Sequence, residues 1–489
     1  MKSVDYNLIP NPFKINEIPG CLDFSKGVEI RIKCADTVHS ELRFLERTFA
    51  SVGSCVSKFI LETETECNYP AEGYELEITP EIISVSASSS AGVFYAIITL
   101  RQLLEGQRIS NRMSLKCCNI VDMPRFLWRG SLLDICRHYF DTDFIKRYID
   151  ILSYHKMNRF HLHLTDDQAW RVEIKRYPEL SERAGFRIDD GKKYGGFLTQ
   201  DDIRELIAYA KERHIMIIPE IEMPGHAFAA LSVFPGLSCS GGPFRIEAKW
   251  GVYEDVYCAG NDNSFEFLEN VLDEVTELFD SPYIHIGGDE CKKDRWNACP
   301  KCLKRVEDEK LKNLDELQSY FIKRIQKFLD TKNKIMIGWD EIIEGGLADN
   351  AIVQIWRGDG VDAGLRCAQE GHKVIMSPAR HCYLNHKYDI LPMKQSYEFD
   401  PVPKDLKDEF IDNIIGIEAN VWTEYIPDIE TFEFQIFPRF CGLSEIAWSA
   451  HDLINHENYQ NRLQVHLDRL KKFHGIECDI SKRCNGIQI

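Results

Sequence analysis

The sequence predicts an α/β protein, a TIM-type (β/α)8 barrel preceded by a small α+β domain. Three observations predict it. From about residue 125 onward, apolar strand-like runs alternate with amphipathic helical segments, the pattern of βα units whose parallel sheet is covered on both faces. These runs number eight, the count that closes a barrel. At 489 residues the chain is also too long for one small core, so a companion domain is expected. We place the N-terminal domain at residues 1–120 and the barrel, with a C-terminal helix, at 121–489.

In the first part, 28–32, 74–78 and 82–86 alternate apolar and polar residues as half-buried strands do, and a helix is expected over 92–104. A short Ser/Ala patch at 86–91 separates strand from helix. Pro124 and the polar, aromatic run 125–130 mark a change of regime. The barrel strands are expected at 131–135, 159–164, 216–221, 283–287, 335–338, 351–355, 373–376 and 414–419. Among the helices between them, Thr199 reads as an N-cap three residues before Asp202, ahead of the stripe Ile203, Leu206, Ile207 and Ala210. Asn313 plays the same part before Glu316, with Leu317, Phe321 and Ile325 following. Both stripes face a core and carry no function.

A hydrophobic fraction of 44% with 28% charged residues is that of an ordinary globular protein. Aromatic residues at 11% suit either a carbohydrate binder or a large aromatic core. The formal net charge of -18 sets nucleic acid and anionic membrane aside as partners, because polyanions are repelled at long range. No apolar run approaches the length of a membrane span. The start MKSVDYNLIP has no apolar leader core, so the chain is expected either in the cytoplasm or as a sequence that begins after a removed leader. The 17 cysteines, odd in number and irregularly spaced, do not read as a disulfide scaffold. Cys299 and Cys302 form a CPKC, but no second CxxC and no matching His pair accompany it. Structural thiols are therefore the expectation there, with no metal and no organic cofactor called for.

In a barrel of this kind the working residues lie where strands end, at the C-terminal face of the sheet. The expected strand ends here are polar and aromatic in every case. Asp134 and Arg137 follow the first, Asp166 and Asp167 the second, Glu222 and His226 the third, Asp289 and Glu290 the fourth. Trp339, Trp356, Tyr383 and the pair Trp422 and Glu424 close the rest. The sharpest segment is HIGGDE, residues 285–290. Its glycines are expected to let a ligand approach the backbone. Its two adjacent carboxylates should raise one another's affinity for a proton, as a general acid at neutral pH requires. Adjacent acids also occur on many surfaces, so the pair alone does not decide. If it is catalytic, neighbours on one strand end are poorly placed to flank a glycosidic bond from opposite faces. A 2-acetamido sugar, whose own carbonyl oxygen can attack its anomeric carbon, would supply the missing nucleophile.

With these residues in hand, the chain resembles the family 20 glycoside hydrolases, the β-N-acetylhexosaminidases, from about residue 6 to 449. The segments that carry the resemblance are RGSLLDICRHYF (129–140), KMNRFHLHLTDDQAWR (156–171), PEIEMPGHA (219–227), YIHIGGDE (283–290), IGWDEI (337–342), IVQIWRG (352–358), ANVWTE (419–424) and FPRFCGLSEIAWS (437–449). The resemblance implies a terminal N-acetylhexosamine on a glycan as substrate. It implies that Glu290 protonates the leaving oxygen and later activates water, that Asp289 holds the acetamido N–H and steadies an oxazolinium intermediate, and that Tyr383 bonds the acetamido oxygen. Trp339, Trp356 and Trp422 would wall the pocket, Arg137 would clamp ring hydroxyls and Glu424 would accept from O4 or O6, making the enzyme exo-acting. Asp166 and His226 would form a relay behind Glu290.

One position departs from the commoner family pattern. Two residues after the pocket tyrosine many members have Asp, whereas this chain has Asn385, followed by His386. Loss of that negative charge should lessen repulsion of an anionic group on carbon 6, and the resemblance to members with Asn and a neighbouring cation there implies that 6-sulfated N-acetylglucosamine is accepted as well. The alternatives carried forward are a disaccharide-releasing enzyme of the same family and a glycan-binding barrel without catalysis; a homodimer stays open.

Overall fold

The computed structural model describes residues 6–23, 27–63, 68–110, 114–246 and 248–477. Its first part is a six-stranded sheet of β1 (Lys14–Asp23), β2 (Val28–Lys33), β3 (Val56–Glu62), β4 (Tyr74–Ile78), β5 (Ile82–Ala87) and β6 (Ser114–Asp122), in the order β1-β6-β4-β5-β2-β3. The strands expected from sequence are β2, β4 and β5, in which burial alternates residue by residue. Sequence reading passed over β1, β3 and β6. Of these, β1 and β3 are the sheet's two edges, exposed along most of their length, so no period of two is written into them. The helix Ser90–Ile109 lies on this sheet, and Ser89 of the Ser/Ala patch caps it by accepting from Gly92 N at 3.4 Å. The helix is buried on nearly every side, because beyond the sheet it meets the C-terminal helix His456–His474.

Eight strands then close the barrel: β7 (Trp128–Asp134), β8 (Arg159–His163), β9 (Met216–Glu220), β10 (Tyr283–His285), β11 (Ile335–Trp339), β12 (Ile352–Ile355), β13 (Val374–Met376) and β14 (Ile414–Val421). Each runs parallel to the next, and β14 pairs with β7. Thr199 and Asp202 form a reciprocal capping box, and Asn313 accepts from Glu316 N at 2.9 Å, as their spacing predicts. The two parts are tied together by buried ion pairs. Lys156 Nζ lies 2.7 Å from Asp122 Oδ2, and Arg129 forks onto Glu72 at 2.7 and 3.0 Å.

The barrel interior is layered. Trp128, Ile218, Ile337, Ile352 and Ile375 fill its lower part as an apolar plug. Further along the strands the interior turns polar: Glu418 accepts from Trp128 Nε1 at 3.1 Å, His161 Nδ1 at 2.7 Å and Gln354 Nε2 at 2.9 Å. Leu132, Trp339, Tyr383 and Trp422 form the uppermost layer. Buried charge of this kind is tolerated only when it is paired, and the pairing runs upward into the strand-end loops.

Candidate active site

Glu220 closes β9 and collects donors from two other strands. It accepts from Trp339 Nε1 at 2.9 Å, pairs with His161 Nε2 at 3.1 Å and takes a short hydrogen bond from His163 Nδ1. Burial disfavours charge on His161, but Glu220 and Glu418 outweigh it and hold its pKa at about 9. His163 is likewise held at about 10 against its burial, by Glu220 and by Asp166, whose Oδ2 lies 2.8 Å from its Nε2. Asp166 Oδ1 and Asp167 Oδ2 each sit 3.2 Å from His226 Nδ1. His226 Nε2 in turn lies 3.5 Å from both Asp289 Oδ2 and Glu290 Oε2. An unbroken series of paired groups therefore runs from Glu418 in the barrel to Glu290 at its mouth.

The loops that deliver these groups are tightly fitted. His226 and Glu290 are both non-glycine residues in the left-handed region, at φ +48° and +47°. A Cβ on Gly225 would stand 2.9 Å from the Asp289 carbonyl oxygen, so the turn before His226 and the acid pair are packed backbone to backbone. The glycines of HIGGDE serve a different purpose from the expected one. A Cβ on Gly287 would fall 1.6 Å from Glu222 Oε2 and one on Gly288 would fall 2.6 Å from Ile342 Cγ2. The space that they leave is taken by protein side chains, not by an approaching ligand.

Opposite this charged side stands an aromatic one. The Trp339 and Trp422 rings are 5.8 Å apart, Tyr383 lies 6.3 Å from Trp422, and Trp356 stacks on Tyr383 at 6.2 Å. Arg137 joins the two sides: its guanidinium sits 5.1 Å over the Trp422 ring, and its nitrogens reach Gln168 Oε1 at 3.2 Å, Asp134 Oδ2 at 3.3 Å and Asp166 Oδ2 at 2.8 Å. Asp134 also accepts from Thr423 N and Oγ1, at 3.1 and 3.0 Å, which fixes the segment leading to Glu424. Among the described residues, Asp289 Oδ1, Trp422 Nε1 and Glu424 Oε2, and Asn385 Oδ1 two residues after Tyr383, are buried without a partner in the protein. Buried polar groups are ordinarily satisfied, so this grouping marks a place built for a polar ligand.

The proton-holding acids are not the ones expected. In this open site a hydrogen bond from His226 lowers the proton affinity of Glu290 instead of its being raised by a neighbour. Proton affinity is raised instead at Glu222, pushed well up by burial and then by Asp289, at Glu341, raised to about 9 by burial, Asp289 and Asp340, and at Glu424, raised mainly by burial. Sequence reading named Glu222 only as a strand-end acid and passed over Glu341, although IGWDEI contains it. Glu341 accepts from Trp356 Nε1 at 2.8 Å. His386 also departs from expectation. Its ring stacks on Tyr383 at 6.0 Å, and burial followed by the charge of Arg439 lowers its pKa, so it is no cation at neutral pH. Beside Glu290 an opening of about 260 Å³, lined by Val252, Cys291, Lys293 and Gln318 among others, leads outward.

Comparison with known proteins meets this geometry from outside. The model of the glycosyl hydrolase family 20 catalytic domain matches residues 126–451, and that of the same family's domain 2 matches residues 5–123. A beta-hexosaminidase of Porphyromonas gingivalis is 43% identical over 427 residues, covering 84% of this chain; the chain spans only 55% of that relative's length. An exo beta-N-acetylglucosaminidase of Vibrio harveyi, solved with N-acetylglucosamine, superposes with a TM-score of 0.86 at 30% identity, over 98% of this chain and 79% of its own. A beta-N-acetylhexosaminidase of Bacteroides fragilis superposes at 0.83 with 31% identity, over 96% of both chains.

Proposed function

Because the chain belongs to glycosyl hydrolase family 20, we propose that it is a retaining exo-β-N-acetylhexosaminidase. It removes terminal β-linked N-acetylglucosamine or N-acetylgalactosamine, with the sugar's own acetamido oxygen as nucleophile. The observation that carries this reading is the set of partnerless polar atoms of Asp289, Trp422 and Glu424 in an aromatic-walled pocket, with Asn385 two residues after Tyr383 and Glu290 at the pocket's edge. An N-acetylated sugar offers hydroxyls and an amide in the numbers needed to satisfy them. The Vibrio harveyi relative, solved with N-acetylglucosamine, supports the choice of sugar.

In this reading Asp289 accepts the acetamido N–H through the oxygen that has no protein partner, and Tyr383 donates to the acetamido oxygen. The carbonyl is thereby aimed at the anomeric carbon, and the negative carboxylate faces the positive charge that develops on the oxazolinium ring. Glu290 supplies the proton to the leaving oxygen and then takes one from water. In the open site His226 keeps Glu290 ionised, so the acid must be loaded on binding. Its side chain is 37% exposed, and a sugar that covers it removes water and raises its proton affinity. Arg137, already held by three partners, presents its fork to the ring hydroxyls without further ordering. With Glu424 it closes the pocket around one terminal sugar, which weighs against release of a disaccharide.

Hydrolysis of p-nitrophenyl N-acetyl-β-glucosaminide, with the fresh product followed by proton NMR, tests the proposal. The β-anomer should appear first. A first-formed α-anomer, or a glycosyl ester trapped on the polypeptide, sinks the mechanism, and binding without release of nitrophenol favours a lectin. We extend the reading to 6-sulfated N-acetylglucosamine under acid conditions only, because Asn385 carries no charge while His386 is neutral at pH 7.

A further inference from the structure

We infer that Cys239, Cys258, Cys299 and Cys302 form a tetrathiolate site for a zinc ion, which staples the loop over the pocket to the segment behind Glu290. Their sulfur atoms all lie within 4.8 Å of one another. Cys239 to Cys302 is 3.7 Å, Cys258 to Cys299 is 3.8 Å and Cys258 to Cys302 is 3.6 Å. A disulfide needs roughly 2.0 Å. A tetrahedral ion with Zn–S bonds of about 2.3 Å sets its ligands about 3.8 Å apart, the spacing found here. All four are free thiols, and Cys258, Cys299 and Cys302 are buried. Four soft donors and no oxygen or imidazole ligand favour zinc over hard cations.

The surrounding backbone is shaped for such a centre. Cys299 precedes the first residue of the helix Pro300–Asp308 and Cys302 lies in its first turn. Gly260 N–H hydrogen-bonds to the sulfurs of Cys258 and Cys302. A Cβ on Gly260 would stand 2.2 Å from the Lys301 carbonyl carbon, so only glycine lets these two cysteine-bearing turns meet. The sequence shows one CxxC because the other two ligands come singly, from the two ends of a loop.

The described parts of that loop, 240–246 and 248–257, reach the pocket through Lys249 and Trp250. The Lys249 carbonyl accepts from Gln168 Nε2 at 3.1 Å, and Gln168 Oε1 holds Arg137 Nε at 3.2 Å. Trp250 packs edge-on to His138 at 5.4 Å, and Val252 lines the opening beside Glu290. Its base is pinned where Trp296 Nε1 donates to the Tyr257 carbonyl at 2.9 Å and Arg295 Nη2 to Asp255 Oδ2 at 3.0 Å. The ion holds both ends of the loop against the stretch that follows Glu290, so it positions the pocket rim without touching substrate.

Inductively coupled plasma mass spectrometry of the full chain, purified without chelator, should find one zinc per chain. Titration with an organomercurial should release it to a zinc-binding dye as four thiols react. Replacement by cobalt(II) should give the sulfur-to-metal charge-transfer and ligand-field bands of a tetrahedral tetrathiolate. Cys302→Ser should lose the metal and lower the thermal midpoint by several degrees. Should that variant fail to fold, metal content and alkylation mass of the unaltered protein still decide. Four alkylatable thiols with no metal, or two disulfides among these cysteines, overturn the proposal. A red protein carrying one iron in place of zinc overturns the assignment of the ion.

Discussion

The two walls of the pocket handle buried acids in opposite ways. On one wall, Asp166 is held well below the usual carboxylate range against its own burial, by Arg137 and then His226, and Glu290 is lowered by His226. On the other, Glu341 accepts from Trp356 and is raised to about 9 by burial, Asp289 and Asp340, and burial raises Glu424 despite Arg137. The difference teaches that burial alone does not fix the state of a carboxyl group; the partner supplied does. A charged wall can steer protons and a neutral wall can exclude water around an amide, and the proposed chemistry needs both.

The largest expected effects lie at the meeting of the walls. Asp289→Asn keeps the shape but removes the charge that faces the oxazolinium, and should lower kcat by roughly 100-fold to 1000-fold on every substrate. Glu290→Gln should cost a comparable or larger factor, on the order of 1000-fold, on natural glycans. On p-nitrophenyl glycosides, whose leaving group needs little protonation, its cost should be much smaller. Steady-state kinetics on both substrate types separates the roles, and equal small losses would show that neither acid does the work assigned to it.

His226 tests the charged wall next. Its imidazolium stabilises ionised Glu290, so His226→Gln should raise the proton affinity of Glu290 and carry the alkaline limb of kcat, which reports the acid in the complex, toward higher pH. An unmoved limb would mean that the limb belongs to another group.

The barrel strands were legible because a strand covered on both faces writes a continuous apolar run, and all eight fall within three residues of their expected starts. The charged wall was legible for a related reason. Each of its groups stands at a strand end, so counting strands also lists Asp134, Arg137, Asp166, His226, Asp289 and Glu290. What sequence could not supply was the pairing across loops. Glu290 and Glu341 look alike in a string of letters, and only the presence of His226 beside one and Trp356 beside the other separates their proton affinities. Cys239 and Cys258 were invisible for the same reason, being brought to the CPKC turn by the fold alone.

A smaller effect sits at the outer end of the aromatic wall. His386 is uncharged at pH 7 because burial and Arg439 lower its pKa below the ordinary value. Protonation as the medium is acidified below that value would give a 6-sulfate its cation. The KM for a 6-sulfated aryl N-acetylglucosaminide, relative to the plain one, should fall a few-fold as the medium is acidified past the lowered pKa of His386, and His386→Gln should abolish that fall. A ratio independent of pH in the unaltered enzyme removes His386 from sulfate recognition.

The smallest expected change in activity is at Glu341. A carboxyl held at a pKa of about 9 is protonated at neutral pH, and glutamine matches its shape, its acceptor for Trp356 Nε1 and its lack of charge. Glu341→Gln should therefore change kcat/KM less than about threefold at pH 7, whereas an ionised, working Glu341 would make the same change costly. Stability gives the second check. The folded pKa is raised above the unfolded one, which lies near 4.3, so between those two values the unfolded chain binds fewer protons and stability declines as pH rises. The substitution removes that decline. Thermal midpoints should rise by a few degrees at pH 8 and stay unchanged at pH 4, and a loss at pH 8 would mean that Glu341 is ionised in the folded protein.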